Sequence, residues 1–225
     1  METIPHKIRL KITGSCNKSC FFCHGEGDMV NILDFKCDDA FKQCMTDMRD
    51  ELDMNVALVT GGEPTLNKEF KGLCCWLDEN GFQVDMTSNG SIIRDWEEIP
   101  LNKATISIHS IFPERIIAID TRDVPLTWGK KMIENAQENI LKLNKAGIDV
   151  RVNKVAVEDD LLDEIEGINN LEGDFELRIL NNLNRLEASQ NAIKKLIKDT
   201  VYLYLYSMVI TFLRWCSDLT LRYCR

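Results

Sequence analysis

The fold is decided by residues 55–64, Asn55-Val56-Ala57-Leu58-Val59-Thr60-Gly61-Gly62-Glu63-Pro64. The first six residues are a short, nearly continuous apolar run, which is typical of a strand buried in a parallel sheet. Two glycines follow, and because they lack side chains they let the backbone approach a ligand closely. A carboxylate, Glu63, comes directly after them. At the carboxyl end of a parallel strand, this combination indicates a binding site more than a simple turn.

Strand and helix patterns alternate on both sides of this stretch. The predicted strands are Lys7–Ile12, Asn55–Thr60, Phe82–Thr87, Ala104–Ser110, Ile148–Val157 and Phe175–Leu180. The predicted helices are Asp38–Leu52, Asn67–Asn80, Lys130–Ala146, Glu158–Asn169 and Leu186–Asp199. Six strand–helix units in order predict a parallel sheet with right-handed crossovers, but they are too few to close an eight-stranded barrel. The sequence therefore predicts an α/β fold, a partial (β/α)6 TIM-like barrel with parallel strands.

The chain is predicted to divide near residue 185. Residues 1–185 form the barrel core, and residues 186–225 form a C-terminal helix followed by a segment rich in aromatic residues, Thr200–Arg225. Three interpretations of that segment stay open: a final strand and helix that pack under the barrel, a segment that binds a partner or a membrane surface, and a terminus foreign to the fold.

Composition restricts the classes of function. The formal net charge of −9 disfavours bulk DNA or RNA recognition, because nucleic-acid binders usually carry a basic surface. The longest apolar run, Val201–Leu213, is shorter than the roughly 20 residues that cross a bilayer, so we expect no membrane partner. Nine cysteines without a secretory signal in Met1–Lys11 point to a reducing compartment, and we expect a cytoplasmic protein.

Three thiols lie in a loop directly after the first predicted strand. Cys16, Cys20 and Cys23 have the spacing C-x3-C-x2-C, which is typical of a three-legged iron–sulfur site. A [4Fe–4S] cluster is usually held by four thiolates, so three thiolates leave one iron free to bind a small molecule. Two alternatives stay open: a zinc site with His24 as the fourth ligand, and a loop in which cysteines crowd by chance.

These residues resemble the signatures of the radical S-adenosylmethionine superfamily over roughly residues 5–185. Cys16, Cys20, Phe22 and Cys23 match its C-x3-C-x-aromatic-C motif, and Gly61–Glu63 match its GGE motif. The resemblance implies a [4Fe–4S] cluster whose open iron is chelated by the methionine moiety of S-adenosylmethionine. It further implies that Gly61, Gly62 and Glu63 hold the ammonium group, that Phe22 lies beside the adenine, and that cleavage yields a 5′-deoxyadenosyl radical.

Other strand ends also resemble cofactor contacts of the superfamily. Ser88 and Asn89, in Thr87-Ser88-Asn89-Gly90, resemble its TNG-type turn, although the same residues are equally good turn formers. Ser107 lies where a hydroxyl commonly meets the ribose or carboxylate of the cofactor, but it also fits a plain strand position. Asn153 lies in the fifth-strand segment that contacts the cofactor.

Within the superfamily, the chain is most similar to the GTP cyclase family of molybdenum-cofactor synthesis. The similar segments are Ile8–Thr13, Arg151–Asn153 and Leu177–Ile179. The resemblance implies that Arg9, Arg151 and Arg178 bind the triphosphate of a nucleotide. Solvated charge at strand ends is the alternative for all three arginines.

The chain also departs from that cyclase family. The cyclases hold a second cluster with three downstream cysteines, where this chain has only Cys216 and Cys224. Their fourth strand carries an aspartate, where this chain has Ile108-His109-Ser110. His109 lies at a strand end near the presumed site, so it is a candidate for positioning substrate or donating a proton, with a hydrogen-bonded structural role as the alternative.

The predicted function is a radical enzyme that abstracts hydrogen from a small polar substrate, possibly phosphorylated or a nucleotide. Such an enzyme needs an electron donor such as flavodoxin or ferredoxin. One alternative is a maturase or activating enzyme that modifies a peptide or protein. Another is a regulatory module that binds zinc or an iron–sulfur cluster without turnover. The sequence leaves the oligomeric state open.

Overall fold

The computed structural model of the chain describes residues 6–23, 35–157, 161–182 and 188–195 and the backbone of residues 219–221. Its strands are β1 (Lys7–Lys11), β2 (Val56–Thr60), β3 (Gln83–Ser88), β4 (Lys103–Ser107), β5 (Asp149–Ala156), β6 (Glu176–Asn181) and β7 (Leu219–Leu221). Its helices are α1 (Asp39–Leu52), α2 (Phe70–Glu79), α3 (Pro113–Ile119), α4 (Leu126–Lys145) and α5 (Leu161–Asn169). Residues 188–195 are also helical.

One sheet contains all of the described strands in chain order, from β1 at one edge to β7 at the other. Strands β1 to β6 are parallel to their neighbours. In the part of the chain that the structure describes, β1 and β7 are not paired with each other, so the barrel is open. The predicted fold class is confirmed. The sequence did not predict that β7 would add antiparallel to β6, within the segment Thr200–Arg225.

The hydrophobic core lies between the sheet and its helices. Alternate strand residues point to this side because successive side chains of a strand face opposite ways. The strand side of the core is formed mainly by Val84, Met86, Ala104, Ile106, Val150 and Val152. The helix side is formed mainly by Leu73, Leu77, Ile140, Leu143, Ile165 and Ile168. Each buried leucine or isoleucine stabilises the fold by about 1.5–3 kcal/mol.

The other face of the sheet is the inner face of the partial barrel, and it is polar. Lys7 on β1 forms an ion pair of 2.6 Å with Asp85 on β3. Arg151 on β5 pairs with Glu176 on β6 at 2.8 Å. These ion pairs show that the inner face offers hydrogen-bond partners to a polar ligand.

Several boundaries differ from the sequence prediction, and two of the differences have a clear structural reason. Strand β4 ends at Ser107 instead of Ser110, because the Ser110 hydroxyl binds the Glu164 carboxylate at 2.7 Å and accepts the Phe112 amide at 2.9 Å. These bonds turn the chain away from the sheet and place His109 in a loop. Helix α4 begins at Leu126, four residues earlier than predicted. Gly129 weakens the helical pattern of that first turn, so the sequence did not indicate it.

Helix α3 was not predicted. It packs on α4 so closely that a Cβ atom on Gly129 would lie 2.6 Å from the Pro113 carbonyl oxygen. The packing therefore requires glycine at a position where glycine weakens the helical pattern.

Among the residues that the structure describes, no helix combines the length and hydropathy needed to cross a membrane. The cytoplasmic location and the division near residue 185 stay predictions. Cys216, Cys224, His24 and most of Thr200–Arg225 lie outside the described residues.

Candidate functional site

The cysteine loop (residues 13–23) leaves β1 and runs across the end of β2. The Gly62 amide donates to the Thr13 carbonyl at 2.8 Å, and the Glu63 amide donates to the Ser15 carbonyl at 2.8 Å. A Cβ atom on Gly62 would lie 2.3 Å from the Ser15 carbonyl oxygen, and one on Gly61 would lie 2.5 Å from that of Thr13. The close approach of the cysteine loop therefore requires glycine at both positions, whether or not a ligand also approaches them.

The other half of the loop is held by residues 119–122, which we call the clamp segment. The Phe21 amide donates to the Ile119 carbonyl at 3.1 Å, and the Thr121 amide donates to the Ser19 carbonyl at 2.8 Å. Together these bonds form an antiparallel bridge between Cys20 and Asp120. Sequence reasoning missed the clamp segment, because its residues follow an unpredicted helix and match no spacing rule.

A cavity of about 350 Å³ opens beside the cysteine loop, which suits a small-molecule ligand. Its lining brings together most of the predicted site residues, from the loop and from the ends of three strands. They are Cys16, Cys20, Phe22, Cys23, Gly61, Gly62, Ser88, Asn89, Ser107 and His109. The lining also includes Lys18, Ser19, Thr60 and Thr87. Glu63, Asn153, Arg9, Arg151 and Arg178 are not among the lining residues.

The three thiols of the sequence motif face the same cavity. Cys16 and Cys20 are half-buried and Cys23 is exposed. Within the described ranges, no group of three metal-binding side chains is close enough to hold a single ion. The alternative zinc ligand, His24, lies outside the described residues.

Burial controls the protonation of these thiols. Desolvation raises the pKa of Cys16 and raises the pKa of Cys20 to about 11. Both thiols are therefore protonated near neutral pH in the metal-free protein. Because only thiolates bind iron, metal binding has to release these protons.

The Glu63 carboxylate is fully buried and ties two strand ends together. One oxygen accepts from the Thr65 hydroxyl at 2.6 Å and amide at 3.2 Å, and from the Ser88 hydroxyl at 2.9 Å. The other oxygen accepts from the Asn89 amide at 2.7 Å. These four donors come from the chain itself, so the carboxylate has a positioning role at the end of β3. Its predicted contact with an ammonium group stays a prediction.

Asn89 extends this network to the cysteine loop. Its side-chain amide donates to the Asn17 side chain at 2.9 Å and approaches the Cys16 sulfur at 3.7 Å. Its carbonyl accepts from the Lys18 ammonium at 3.0 Å. The predicted TNG-like turn therefore contacts the first cysteine through Asn89.

His109 is half-buried in the cavity wall and has a neutral ring. Its Nδ1 accepts from the Val155 amide at 3.3 Å, and its edge packs against Phe22 with ring centres 4.8 Å apart. Desolvation, reinforced by the positive charges of Lys18 and Lys154, lowers the pKa of His109 to about 3. With Nδ1 used as an acceptor, the proton lies on Nε2, where it is a hydrogen-bond donor.

The three predicted anion-binding arginines have different surroundings. Arg151 donates to Glu176 from two nitrogens, at 2.8 and 3.1 Å, so its charge is balanced inside the chain. Arg178 is next to Asn153 in the β5–β6 register. Both carry a buried side-chain atom without a hydrogen-bond partner among the described residues, namely the Nε of Arg178 and the Oδ1 of Asn153. Arg9 is exposed on β1, with three strands between it and β5.

Comparison with known proteins places this geometry in a family. Residues 10–171 match the sequence profile of the Radical SAM superfamily. A probable GTP 3′,8-cyclase of Sulfolobus acidocaldarius is 32% identical over 111 residues, which cover 47% of this chain and 35% of the relative. A probable GTP 3′,8-cyclase of Thermococcus kodakarensis is 25% identical over 167 residues, which cover 71% of this chain and 52% of the relative. The chain thus spans about half, or less, of the length of these curated relatives.

Solved structures show the same fold at low sequence identity. Streptococcus suis SuiB bound to S-adenosylmethionine superimposes with a TM-score of 0.67 at 13% identity, over 90% of this chain and 48% of SuiB. TYW1 with a lysine–pyruvate adduct bound superimposes with a TM-score of 0.63 at 16% identity, over 86% of this chain and 72% of TYW1. Because the profile match covers more than half of the chain and includes the cysteine loop and the double glycine, the chain belongs to the Radical SAM superfamily, whose cofactors are a [4Fe–4S] cluster and S-adenosylmethionine.

Proposed function

We propose that this chain is a radical enzyme that holds a [4Fe–4S] cluster at Cys16, Cys20 and Cys23. In this proposal S-adenosylmethionine binds in the adjoining cavity, and hydrogen is abstracted from a small anionic substrate on the inner face of the barrel. The observation that carries the proposal is that the three thiols and the ends of β2, β3 and β4 line one cavity of about 350 Å³. When bound, the cluster supplies the electron that cleaves the sulfonium.

The cavity wall offers two kinds of surface to the cofactor. Phe22 and His109 form an edge-to-face pair that provides an aromatic surface for a purine ring. Gly61 and Gly62 contribute backbone to the same lining, and Ser107 adds a hydroxyl. The neutral His109 donates from Nε2 to an acceptor atom of a ligand. In this proposal these residues bind and orient the cofactor.

Two residues on the inner face of the sheet favour an anionic substrate. Within the described part of the chain, the Nε of Arg178 is a charged donor without a hydrogen-bond partner, and the neighbouring Oδ1 of Asn153 is an acceptor in the same state. Buried polar atoms are normally paired, so two such atoms side by side favour a ligand that supplies both an acceptor and a donor. A phosphorylated nucleotide has both, and the curated relatives are named as probable GTP 3′,8-cyclases. Arg178 is a stronger anion ligand than Arg151, whose charge is balanced by Glu176.

Anaerobic reconstitution tests the cofactor chemistry. We expect about four irons per chain and cleavage of S-adenosylmethionine under dithionite. Cys20→Ala is expected to lose both, whereas Cys44→Ala, at an exposed position of α1, keeps both. Reconstituted protein that holds iron without cleaving S-adenosylmethionine would favour the regulatory module. Protein that holds one zinc and no iron would contradict the proposal.

A nucleotide-binding assay tests the substrate. Arg178→Ala is expected to weaken GTP binding by roughly 10- to 100-fold, as for loss of a hydrogen bond to a charged group. Arg151→Ala is the matched comparison and is expected to have a smaller effect. No GTP binding by the parent would remove the nucleotide proposal. Intact cofactor cleavage without nucleotide binding would favour the peptide-modifying alternative. The electron donor, such as flavodoxin or ferredoxin, stays a prediction.

A further inference from the structure

The clamp segment makes side-chain contacts to the cysteine loop that no cofactor motif includes. The Asp120 side chain is 2% exposed, and its Oδ2 accepts from the Ser19 amide at 3.1 Å. Ser19 lies between the first two thiols in sequence. A buried carboxylate thus fixes the loop directly beside Cys20.

Arg122 is bound to the same carboxylate. It donates to Asp120 from its amide at 3.0 Å, from Nε at 2.8 Å and from Nη2 at 2.7 Å. The Nε and Nη2 donors reach different carboxylate oxygens of Asp120, so the pair is bidentate and the guanidinium is held in one orientation.

The guanidinium reaches the loop backbone between Cys16 and Cys20. Its Nη2 donates to the Asn17 carbonyl at 2.7 Å. The indole of Trp128 packs against the guanidinium, with its ring centre 5.6 Å from the Cζ atom of Arg122. Three fixed contacts, to Asp120, Asn17 and Trp128, leave the charge little freedom to move away from the loop.

The position of this charge matters for a cluster held by thiolates. The Asn17 carbonyl that Arg122 binds belongs to the residue directly after Cys16, and Asp120 forms a backbone bridge with Cys20. A cluster with thiolate ligands becomes more negative when it is reduced, and its reduction potential depends on nearby charge and hydrogen bonds. The pair of Asp120 and Arg122 is neutral as a whole, so loss of the guanidinium would leave an unbalanced carboxylate beside Cys20 and would disfavour the reduced form.

We propose that Asp120 and Arg122 are positioning residues of the cluster site: Asp120 fixes Ser19 and Arg122, and Arg122 holds the Asn17 carbonyl and balances the carboxylate charge beside the cluster. The inference rests on the proposed cluster at Cys16, Cys20 and Cys23. It assigns a role to a segment that lies about a hundred residues after the cysteines in the sequence.

The test compares Arg122→Gln with Arg122→Lys in the full chain. Cluster retention is measured as iron per chain during dilution with a chelator, and the midpoint potential is measured by electron paramagnetic resonance during a redox titration. Arg122→Gln is expected to lower the potential and to weaken cluster retention by about 10- to 100-fold, as is typical for residues that orient metal ligands. Arg122→Lys keeps the positive charge but loses the bidentate geometry of the guanidinium. Its midpoint potential is therefore expected to lie close to that of the parent, whereas its cluster retention stays lower.

Arg49→Gln is the matched control. Arg49 also donates to a neighbouring aspartate, Asp50, and to a backbone carbonyl, that of Asn80, but it lies on α1 away from the cysteine loop. The control is expected to keep the parental potential and iron retention. Parental values for Arg122→Gln as well would overturn the inference.

A measurement on the metal-free protein separates this inference from the proposed function. Asp120→Asn loses the charge that binds Arg122, and we expect faster amide hydrogen exchange at residues 16–21 than in the parent. Unchanged exchange there would overturn the role of Asp120, whether or not the parent binds a cluster. A parent without any cluster but with the expected exchange result would instead overturn the proposed function.

Discussion

The two halves of the cysteine loop are held in different ways. The first half packs on Gly61 and Gly62. Its backbone contacts theirs at distances that leave no room for a Cβ atom, and we call this contact the first support. The second half is held by backbone and by the side chains of Asp120 and Arg122. The first support tolerates only glycine, so it leaves a motif in the sequence. The second uses ordinary residues in a particular arrangement, so it is visible only in three dimensions.

Gly62→Ala should break the first support and have the largest effect. The added Cβ would lie 2.3 Å from the Ser15 carbonyl oxygen, and a backbone atom in that position cannot yield without moving the loop. We expect the free energy of unfolding to fall by about 3 kcal/mol. Urea denaturation of the metal-free protein measures this, and iron per chain after reconstitution should fall with it.

Gly72→Ala is the control for that substitution. Gly72 lies in α2 with nothing within 4 Å of an added Cβ. Alanine favours a helix over glycine by about 0.5–1 kcal/mol, so this variant should be slightly more stable than the parent. If both alanine variants had the same stability, close approach to the loop would not explain the double glycine.

Glu63→Gln should weaken the link between the first support and β3. Glutamine keeps one acceptor oxygen and replaces the other with an amide NH2 group. In either orientation, that NH2 group lies against a donor, from Ser88 or from Asn89, and one hydrogen bond is lost. We expect a loss of about 2 kcal/mol in the free energy of unfolding. Glu98→Gln, at an exposed pair with Lys71, should change stability by less than about 0.5 kcal/mol. Unchanged stability together with weaker S-adenosylmethionine binding would show that Glu63 acts on the ligand instead.

Ser19→Ala should have the smallest effect, on the second support. The Ser19 and Thr121 hydroxyls are 2.7 Å apart, in an exposed hydrogen bond between the cysteine loop and the clamp segment. Its removal is expected to cost about 0.5 kcal/mol. A double-mutant cycle with Thr121→Val measures the coupling. A coupling as large as the Glu63→Gln effect would mean that this contact, rather than Asp120, fixes the loop.

The contrast also explains what the sequence could predict. Strands β1 to β6 and the cysteine and glycine motifs follow from local patterns, and the structure confirms those strands within a few residues. The early end of β4 depends on Ser110 meeting Glu164, 54 residues away. The balanced charge of Arg151 depends on Glu176 on the next strand. Contacts of this kind arise from packing, so no pattern along the chain identifies them.

Strand β1 has a further consequence for the behaviour of the protein at high concentration. In the described residues it is the edge of the sheet, and an edge strand offers backbone groups to the strands of other molecules. Its sequence Lys-Ile-Arg-Leu-Lys places a cation at every second position, and these cations are exposed. Because like charges repel when two such edges approach, β1 resists edge-to-edge aggregation while the barrel stays open.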